Sequence, residues 1–302
     1  RREQTATSRC IIIDMKTGQI IRIISNQYTV RTQEGEQLEC VAMGKLRKGH
    51  SPVVGDRVEV ERFDAQNGIQ RILPRRNALR RPLIANVDQA IIVMSTLCPD
   101  FSAQLVDRLI FQICYEGITP LICVTKMDLI DAGSAIHAQI EDYRQSGYAV
   151  FVSGEGDVPD ALLAAMKGKV SVLCGQSGAG KSSLLNRIDP GFQLRTQETS
   201  KALGRGRHTT RHCELHEVAG GWVADTPGFS SLDFHYMQLD RLSACIPDFA
   251  SVQGECRFKD CRHLQEPDCA VKDAVEAGRI SKIRYAHYEE VAKLILSNRV
   301  KY

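Results

Sequence analysis

Residues Gly175-Gln176-Ser177-Gly178-Ala179-Gly180-Lys181-Ser182 spell a complete phosphate-binding loop, and such a loop dictates what must flank it. Its glycines let the backbone wrap a phosphate with several N–H groups turned inward, between the end of a strand and the start of a helix. Lys169-Val170-Ser171-Val172-Leu173-Cys174 supplies that strand, and Ser183-Leu184-Leu185-Asn186-Arg187-Ile188 supplies the helix. Lys181 would reach the β and γ phosphates, and Ser182 would offer a hydroxyl to Mg²⁺. Groups from Gly175 through Ser183 would complete the cradle. This is a nucleotide-binding site.

Upstream, the apolar run Leu121-Ile122-Cys123-Val124 ends in Thr125-Lys126-Met127-Asp128. At a strand's carboxyl end, Asp128 can accept hydrogen bonds from guanine N1–H and the exocyclic amine. Adenine offers neither donor there, so an unpaired carboxylate counts against it. The Lys126 stem can pack flat over the base. Ser153-Gly154-Glu155-Gly156 takes the position of a loop, commonly Ser-Ala-x, whose backbone N–H meets guanine O6; here Gly154 replaces Ala. Downstream, Trp222-Val223-Ala224-Asp225-Thr226-Pro227-Gly228 reads as a strand ending in Asp-x-x-Gly. Asp225 would hold Mg²⁺ through water, and the Gly228 N–H would sense the γ-phosphate.

Ordinary GTPases present phosphate loop, Asp-x-x-Gly and Asn-Lys-x-Asp in that order. Here the Thr-Lys-x-Asp comes first, so the same sheet requires a circular permutation, tolerated where termini lie close together on a surface. The cut falls after the Asp-x-x-Gly segment, which moves on hydrolysis. Residues beyond about 240 are therefore expected to report or receive the nucleotide state.

Phosphoryl transfer to water needs charge neutralisation, from Mg²⁺ and Lys181, and a positioned nucleophile. Ras-like enzymes place a Gln after Asp-x-x-Gly to orient the water. Phe229 stands there instead and cannot hydrogen-bond it. His208, in Gly204-Arg205-Gly206-Arg207-His208-Thr209-Thr210, is the internal candidate; an exposed loop residue or an RNA contact is the plainer account. Either Thr209 or Thr210 could close over Mg²⁺. Lys201, Arg205, Arg207, Arg211 and His212 make this loop basic, suited to a phosphate backbone that would order it.

Cys256, Cys261, His263 and Cys269 place three thiols and one imidazole in a short polar segment. That donor set suits tetrahedral Zn²⁺ with no position left open, a structural site. The segment is too poor in apolar residues to hold a shape without metal. Unligated core cysteines are the alternative. The other cysteines of the eleven are scattered, with no regular framework, no signal segment and no apolar run of about eighteen residues. A reducing cytoplasm is expected, without membrane insertion. The start at Arg1-Arg2, without Met, points to a leader ahead of this numbering.

In motif order and terminal segments the chain resembles the circularly permuted GTPases, and among them the ribosome small subunit-dependent GTPase A family of subunit-assembly factors. The resemblance covers nearly the whole chain. It implies an N-terminal barrel, a Cys/His metal loop of this spacing, and a first switch loop whose His208 has been suggested as catalytic. One departure is Thr125, where many members carry Asn; the Asn amide braces loop and base, so weaker guanine affinity is expected.

Around this centre the chain divides into three expected domains, 1–75, 82–235 and 236–302. Short strand-like runs at 18–25, 27–33, 37–44, 56–63 and 68–73, parted by turn signals, suit a five-stranded OB-type barrel. Backbone contacts to RNA fit its clustered Lys45, Arg47, Lys48 and His50 better than base reading, although a purely structural barrel is possible. Arg71, Arg75, Arg76, Arg80 and Arg81 line the link that follows, as phosphate contacts or a solvated linker. Strands at 89–95, 120–125 and 149–153 alternate with helices at 103–115 and 135–146, giving a parallel sheet covered on both faces. Beyond Tyr236, helices are expected at 240–245, 271–277 and 283–298. Tyr285, Tyr288, Val291, Ala292 and Ile295 recur at core spacing. Lys272, Arg279, Lys282, Arg284, Lys293, Arg299 and Lys301 form a basic surface for RNA or solvent.

The net charge of +3 decides nothing by itself. The reading is a Mg²⁺-dependent GTPase, a monomer, converting GTP to GDP and released from the small ribosomal subunit and its rRNA by hydrolysis that the particle stimulates. A GTP-regulated RNA-binding module and a phosphate-loop ATPase are the alternatives.

Overall fold

The computed structural model describes residues 15–43, 46, 51–63, 66–80, 82–192, 213–229 and 232–299. The chain forms two compact units, 1–75 and 76–302. Lys45, Arg47, Lys48, His50 and Arg81 lie outside the described residues, as does the switch loop from Lys201 to His212, with His208, Thr209 and Thr210.

The first unit is a closed barrel of β1 (Met15–Ile24), β2 (Gln27–Thr32), β3 (Gln37–Ala42), β4 (Arg57–Phe63) and β5 (Gln66–Ile72), in the order β1-β2-β3-β5-β4. β4 closes back antiparallel on β1, and β3 pairs parallel with β5. This is the OB-type barrel expected from the strand spacing. Side chains alternate, so Ile20, Val30, Val58 and Ile69 meet inside with no exposure, each burial worth about 2 kcal/mol. Gly18 marks the tightest strand approach: a Cβ there would lie 2.5 Å from Val30 Cγ1 and 2.6 Å from the Arg31 carbonyl oxygen.

Arg71, Arg75 and Arg76 are each paired with a carboxylate of their own unit. Arg75 donates to the fully buried carboxylate of Asp56 at 2.6 and 2.8 Å, and that carboxylate also accepts from the Val53 N–H. Arg71 forks onto Glu59, and Arg76 reaches Asp88. These three face carboxylates, Arg71 and Arg76 at the solvent-exposed surface and Arg75 largely buried. Residues past Arg76 are not a plain linker, since they pair as a hairpin of β6 (Ala78–Arg80) and β7 (Leu83–Ala85).

The second unit is built on a six-stranded sheet, order β10-β9-β8-β11-β13-β12. Its members are β8 (Gln89–Ser95), β9 (Thr119–Thr125), β10 (Ala149–Val152), β11 (Val170–Cys174), β12 (Leu215–Val218) and β13 (Gly221–Phe229). All pairings are parallel except the β12–β13 edge. All seven residues of β8 are buried, as a strand covered on both faces requires. Helices α1 (Ala103–Tyr115), α2 (Ala135–Gln145), α3 (Asp160–Met166) and α4 (Lys181–Ile188) connect the strands. The serines before α1 and α2 cap them: Ser102 accepts from the Leu105 N–H and Ser134 from the Ile136 N–H. From β8 the chain winds outward through β9 to β10, then crosses back to place β11 on the other side of β8. The winding reverses between β8 and β11, so their carboxyl ends open a crevice where ligands bind.

Helices α5 (Leu239–Cys245), α6 (Pro247–Ala250), α7 (Ala270–Glu276) and α8 (Lys282–Arg299) follow. The stripe Tyr288, Val291, Ala292 and Ile295 is buried as expected, with Tyr288 edge-on to Phe111 of α1 and to Phe249. Among the described residues no helix is long and apolar enough to cross a membrane.

Candidate functional site

Three loops meet at the crevice. After β11 the phosphate loop turns through left-handed Gly175, Gly178 and Gly180. Gly175 could be nothing larger, because a Cβ would sit 2.1 Å from the Val93 carbonyl oxygen of β8. Lys181 opens α4 and folds back over its own loop, its Nζ donating to the carbonyls of Gly175 at 2.8 Å and Gln176 at 2.6 Å. Half-burial holds its pKa below the ordinary lysine value. Ser177, Ser182 and Ser183 are exposed at the loop's open side, whereas Ala179 is buried.

The segment after β9 is tied directly to this loop. The buried Thr125 hydroxyl lies 2.8 Å from the Ala179 carbonyl and 3.2 Å from that of Met94. A threonine therefore braces the phosphate loop at the position where Asn is usual. Lys126 adopts a left-handed backbone and donates through Nζ to the carbonyls of Leu97 and Cys98, in the loop after β8. Asp128 follows in a short 3₁₀ turn, Met127–Leu129, with its carboxylate exposed. The loop after β10 closes the third side. The Met127 N–H donates to the Ser153 carbonyl at 3.1 Å, the Ser153 N–H to Val124 at 2.8 Å, and a Cβ on Gly154 would lie 3.4 Å from Asp128 Oδ1. Asp128 and Gly154 thus share one edge of the crevice, and Thr125 joins that edge to the loop bearing Lys181.

Asp225 to Gly228 lie in β13 beside the same loop. Val172 pairs with Ala224 and Cys174 with Phe229, so five steps on β13 oppose two on β11. The Asp-x-x-Gly segment is the surplus, bulging out of the ladder where the phosphate loop departs.

The second cluster is Cys256, Cys261, His263 and Cys269, whose ligand atoms all lie within 4.8 Å of one another. His263 Nδ1 is 3.7 Å from Cys256 Sγ and 3.4 Å from Cys269 Sγ. Burial holds the His263 pKa down, keeping the imidazole neutral, and pushes the Cys261 thiol up to about 12. Three soft thiols converging on a neutral imidazole are a donor set that fits a closed tetrahedral metal site. Tyr285 and Tyr288 of α8 donate to the carbonyls of His263 at 2.7 Å and Arg262 at 2.6 Å, anchoring the loop to that helix.

Sequence comparison decides the family. The RsgA GTPase family matches residues 72–235, and the RsgA N-terminal domain matches residues 17–69. The chain belongs to the RsgA GTPase family. A small ribosomal subunit biogenesis GTPase RsgA of Geobacillus thermodenitrificans is 47% identical over 282 residues, covering 91% of this chain and 95% of the relative. Its counterpart in Shouchella clausii is 44% identical, covering 95% and 100%. Among solved structures, YloQ, a circularly permuted GTPase, superposes with a TM-score of 0.81 at 39% identity, covering 95% of this chain and 97% of that one. YjeQ from Thermotoga maritima gives 0.80 at 33% identity, covering 93% and 99%. The permuted order inferred from the motifs is therefore that of this GTPase family.

One group within the fold escaped the sequence reading. Arg284 was expected on a basic surface, yet it is 1% exposed. Its guanidinium reaches Asp107 of α1 at 3.2 Å, Asp142 of α2 at 2.9 Å and Asp248 of α6, and lies 4.6 Å from the Tyr143 ring centroid. Burial opposes its charge, but Asp248 and Asp107 more than offset this and hold its pKa above the ordinary value. The signal was present: Arg284 precedes Tyr288, Val291 and Ile295 at helical spacing, so it belongs to the buried stripe. Arg284→Met is expected to cost about 3–5 kcal/mol by taking the guanidinium from the buried carboxylates of Asp107 and Asp248, which keep only their bonds to Tyr143, His287 and Tyr148. Urea denaturation checks this, and a loss under about 1 kcal/mol would refute the assignment.

Proposed function

We propose that this GTPase is a timing factor for the small ribosomal subunit, bound to it in the GTP state and released by hydrolysis that the particle stimulates. The names of the relatives support the partner, and the Thr125–Ala179 bond that joins guanine edge to phosphate loop carries the site assignment. Asp128 reads the guanine N1–H and amine, the Ser153–Gly154 loop meets O6, and Gly175 to Ser183 hold the phosphates. When bound, Mg²⁺ offsets phosphate charge, with Ser182, Asp225 and one of Thr209 and Thr210 to hold it. Lys181 adds a fixed positive charge, and Gly228 presents its N–H to the γ-phosphate. Zn²⁺ is the metal for the Cys256, Cys261, His263 and Cys269 site, in a structural role. The domains assigned are 1–75 for rRNA contact, 82–235 for GTP and 236–302 for the metal lobe, in a monomeric cytoplasmic protein.

Phe229 leaves the water without an orienting side chain, so His208 is assigned that task when the particle is bound. Single-turnover GTP hydrolysis is expected to accelerate by about two orders of magnitude on adding small subunits. His208→Ala is expected to remove most of that acceleration, about 10²-fold. Turnover unchanged by subunits would favour the second reading, also consistent with Phe229, in which GTP only regulates RNA binding.

A further inference from the structure

The loop that would read guanine O6 is unusual in having no side chain at its central residue. Gly154 replaces the common Ala, and glycine carries the largest backbone freedom to be lost on ordering. Around it the neighbouring residues are fastened: the Ser153 N–H to Val124, the Ser153 hydroxyl to the Asp157 carbonyl at 2.7 Å, and the Ser153 carbonyl to the Met127 N–H. Gly154 itself is held from another element. Arg187, in the last turn of α4, donates from Nη1 to the Gly154 carbonyl at 2.7 Å, while its Nε reaches back to the Ser183 carbonyl at 3.4 Å. A charged donor on a partly buried carbonyl is among the stronger hydrogen bonds available to a loop.

We infer that Arg187 is a positioning residue for guanine recognition: the Ser153 carbonyl on Met127 fixes the peptide that carries the Gly154 N–H, and Arg187 on the Gly154 carbonyl fixes the next peptide, so that the loop is pinned on both sides of the N–H aimed at O6. The guanidinium hangs from the helix that begins with Lys181, so base-reading loop and phosphate-binding helix are ordered as one piece. This rests on the guanine-site reading above, with Asp128 on the amine edge and Gly154 on the O6 edge. It assigns the two edges to different supports, and nucleotide analogues separate them.

The test measures affinity for GDP, inosine diphosphate (which keeps O6 and N1–H and lacks the amine) and 2-aminopurine riboside diphosphate (which keeps the amine and lacks both O6 and the N1 proton), each variant being compared with the parent on the same nucleotide. Arg187→Met, which preserves the stem, is expected to weaken GDP and inosine diphosphate by about tenfold each. The 2-aminopurine nucleotide is expected to weaken less than about twofold, having no O6 to lose. Arg187→Lys retains a donor and is expected to recover most of the affinity. Equal losses for all three nucleotides would mark a general disturbance of the site and overturn the proposal, as would an unchanged GDP affinity in Arg187→Met. Asp128→Ala runs alongside. If its penalty were as large for inosine diphosphate as for GDP, the assignment of edges itself would fail, independently of Arg187.

Discussion

Asp128→Ala is expected to cost GTP binding about two to three orders of magnitude and to bring GTP and ATP affinities close together. The carboxylate would accept two donors from guanine, and hydrogen bonds to a charged group contribute about 1.5–3 kcal/mol each. A site built around such a group also rejects a base that leaves it unpaired, which is the source of discrimination between purines. Asp128 is exposed and close to Gly154, with no part in the sheet's core, so its loss should leave folding untouched. Competition of ATP against a labelled GDP, in parent and variant, reads the effect directly. A variant that still preferred guanine by the parental margin would remove Asp128 from base recognition.

Loss of the metal is expected to have the largest effect on stability. Cys261, His263 and Cys269 are buried around one point, and of the six residues between them three are exposed, with Leu264 the one aliphatic side chain that is partly buried. Without a bound cation, Leu264 and the edge-on contact of His263 with Phe249 are too little apolar packing to offset the entropy of ordering the loop. Cys269→Ser, or a strong chelator, is expected to lower stability by about 5 kcal/mol and to abolish a zinc content of about one per chain. Elemental analysis and thermal unfolding of the whole protein would check both, with the loss concentrated in residues 253–269 by hydrogen exchange. A fully reduced chain without metal that melted at the parental temperature would show that the four side chains are only packed together.

The parts legible in advance share a physical cause. Each nucleotide motif ends a strand, and in a doubly wound sheet strand ends converge, so linear motifs became one crevice without further information. Thr125 illustrates where the reading stopped. Its replacement of Asn implied weaker guanine affinity; what the sequence did not show is that a hydroxyl at the end of a strand buried from Pro120 to Thr125 reaches the Ala179 carbonyl and supplies a brace to the phosphate loop. Arg187 was placed correctly on the helix after the phosphate loop, yet its partner lies across the crevice, a contact that no local spacing encodes. Arg284 failed for the opposite reason. Its position in the apolar stripe was readable, and its charge was allowed to outweigh that position, although α1, α2 and α6 each contribute an aspartate to meet it.

The Arg284 junction has a mechanical side. α1, gripped along its length by α8, starts just beyond the turn whose Leu97 and Cys98 carbonyls hold Lys126, and whose Pro99 Cδ would sit 3.4 Å from a Cβ on Gly178. One continuous helix thus joins the Arg284 junction to the turn that holds Lys126 at the lip of the crevice.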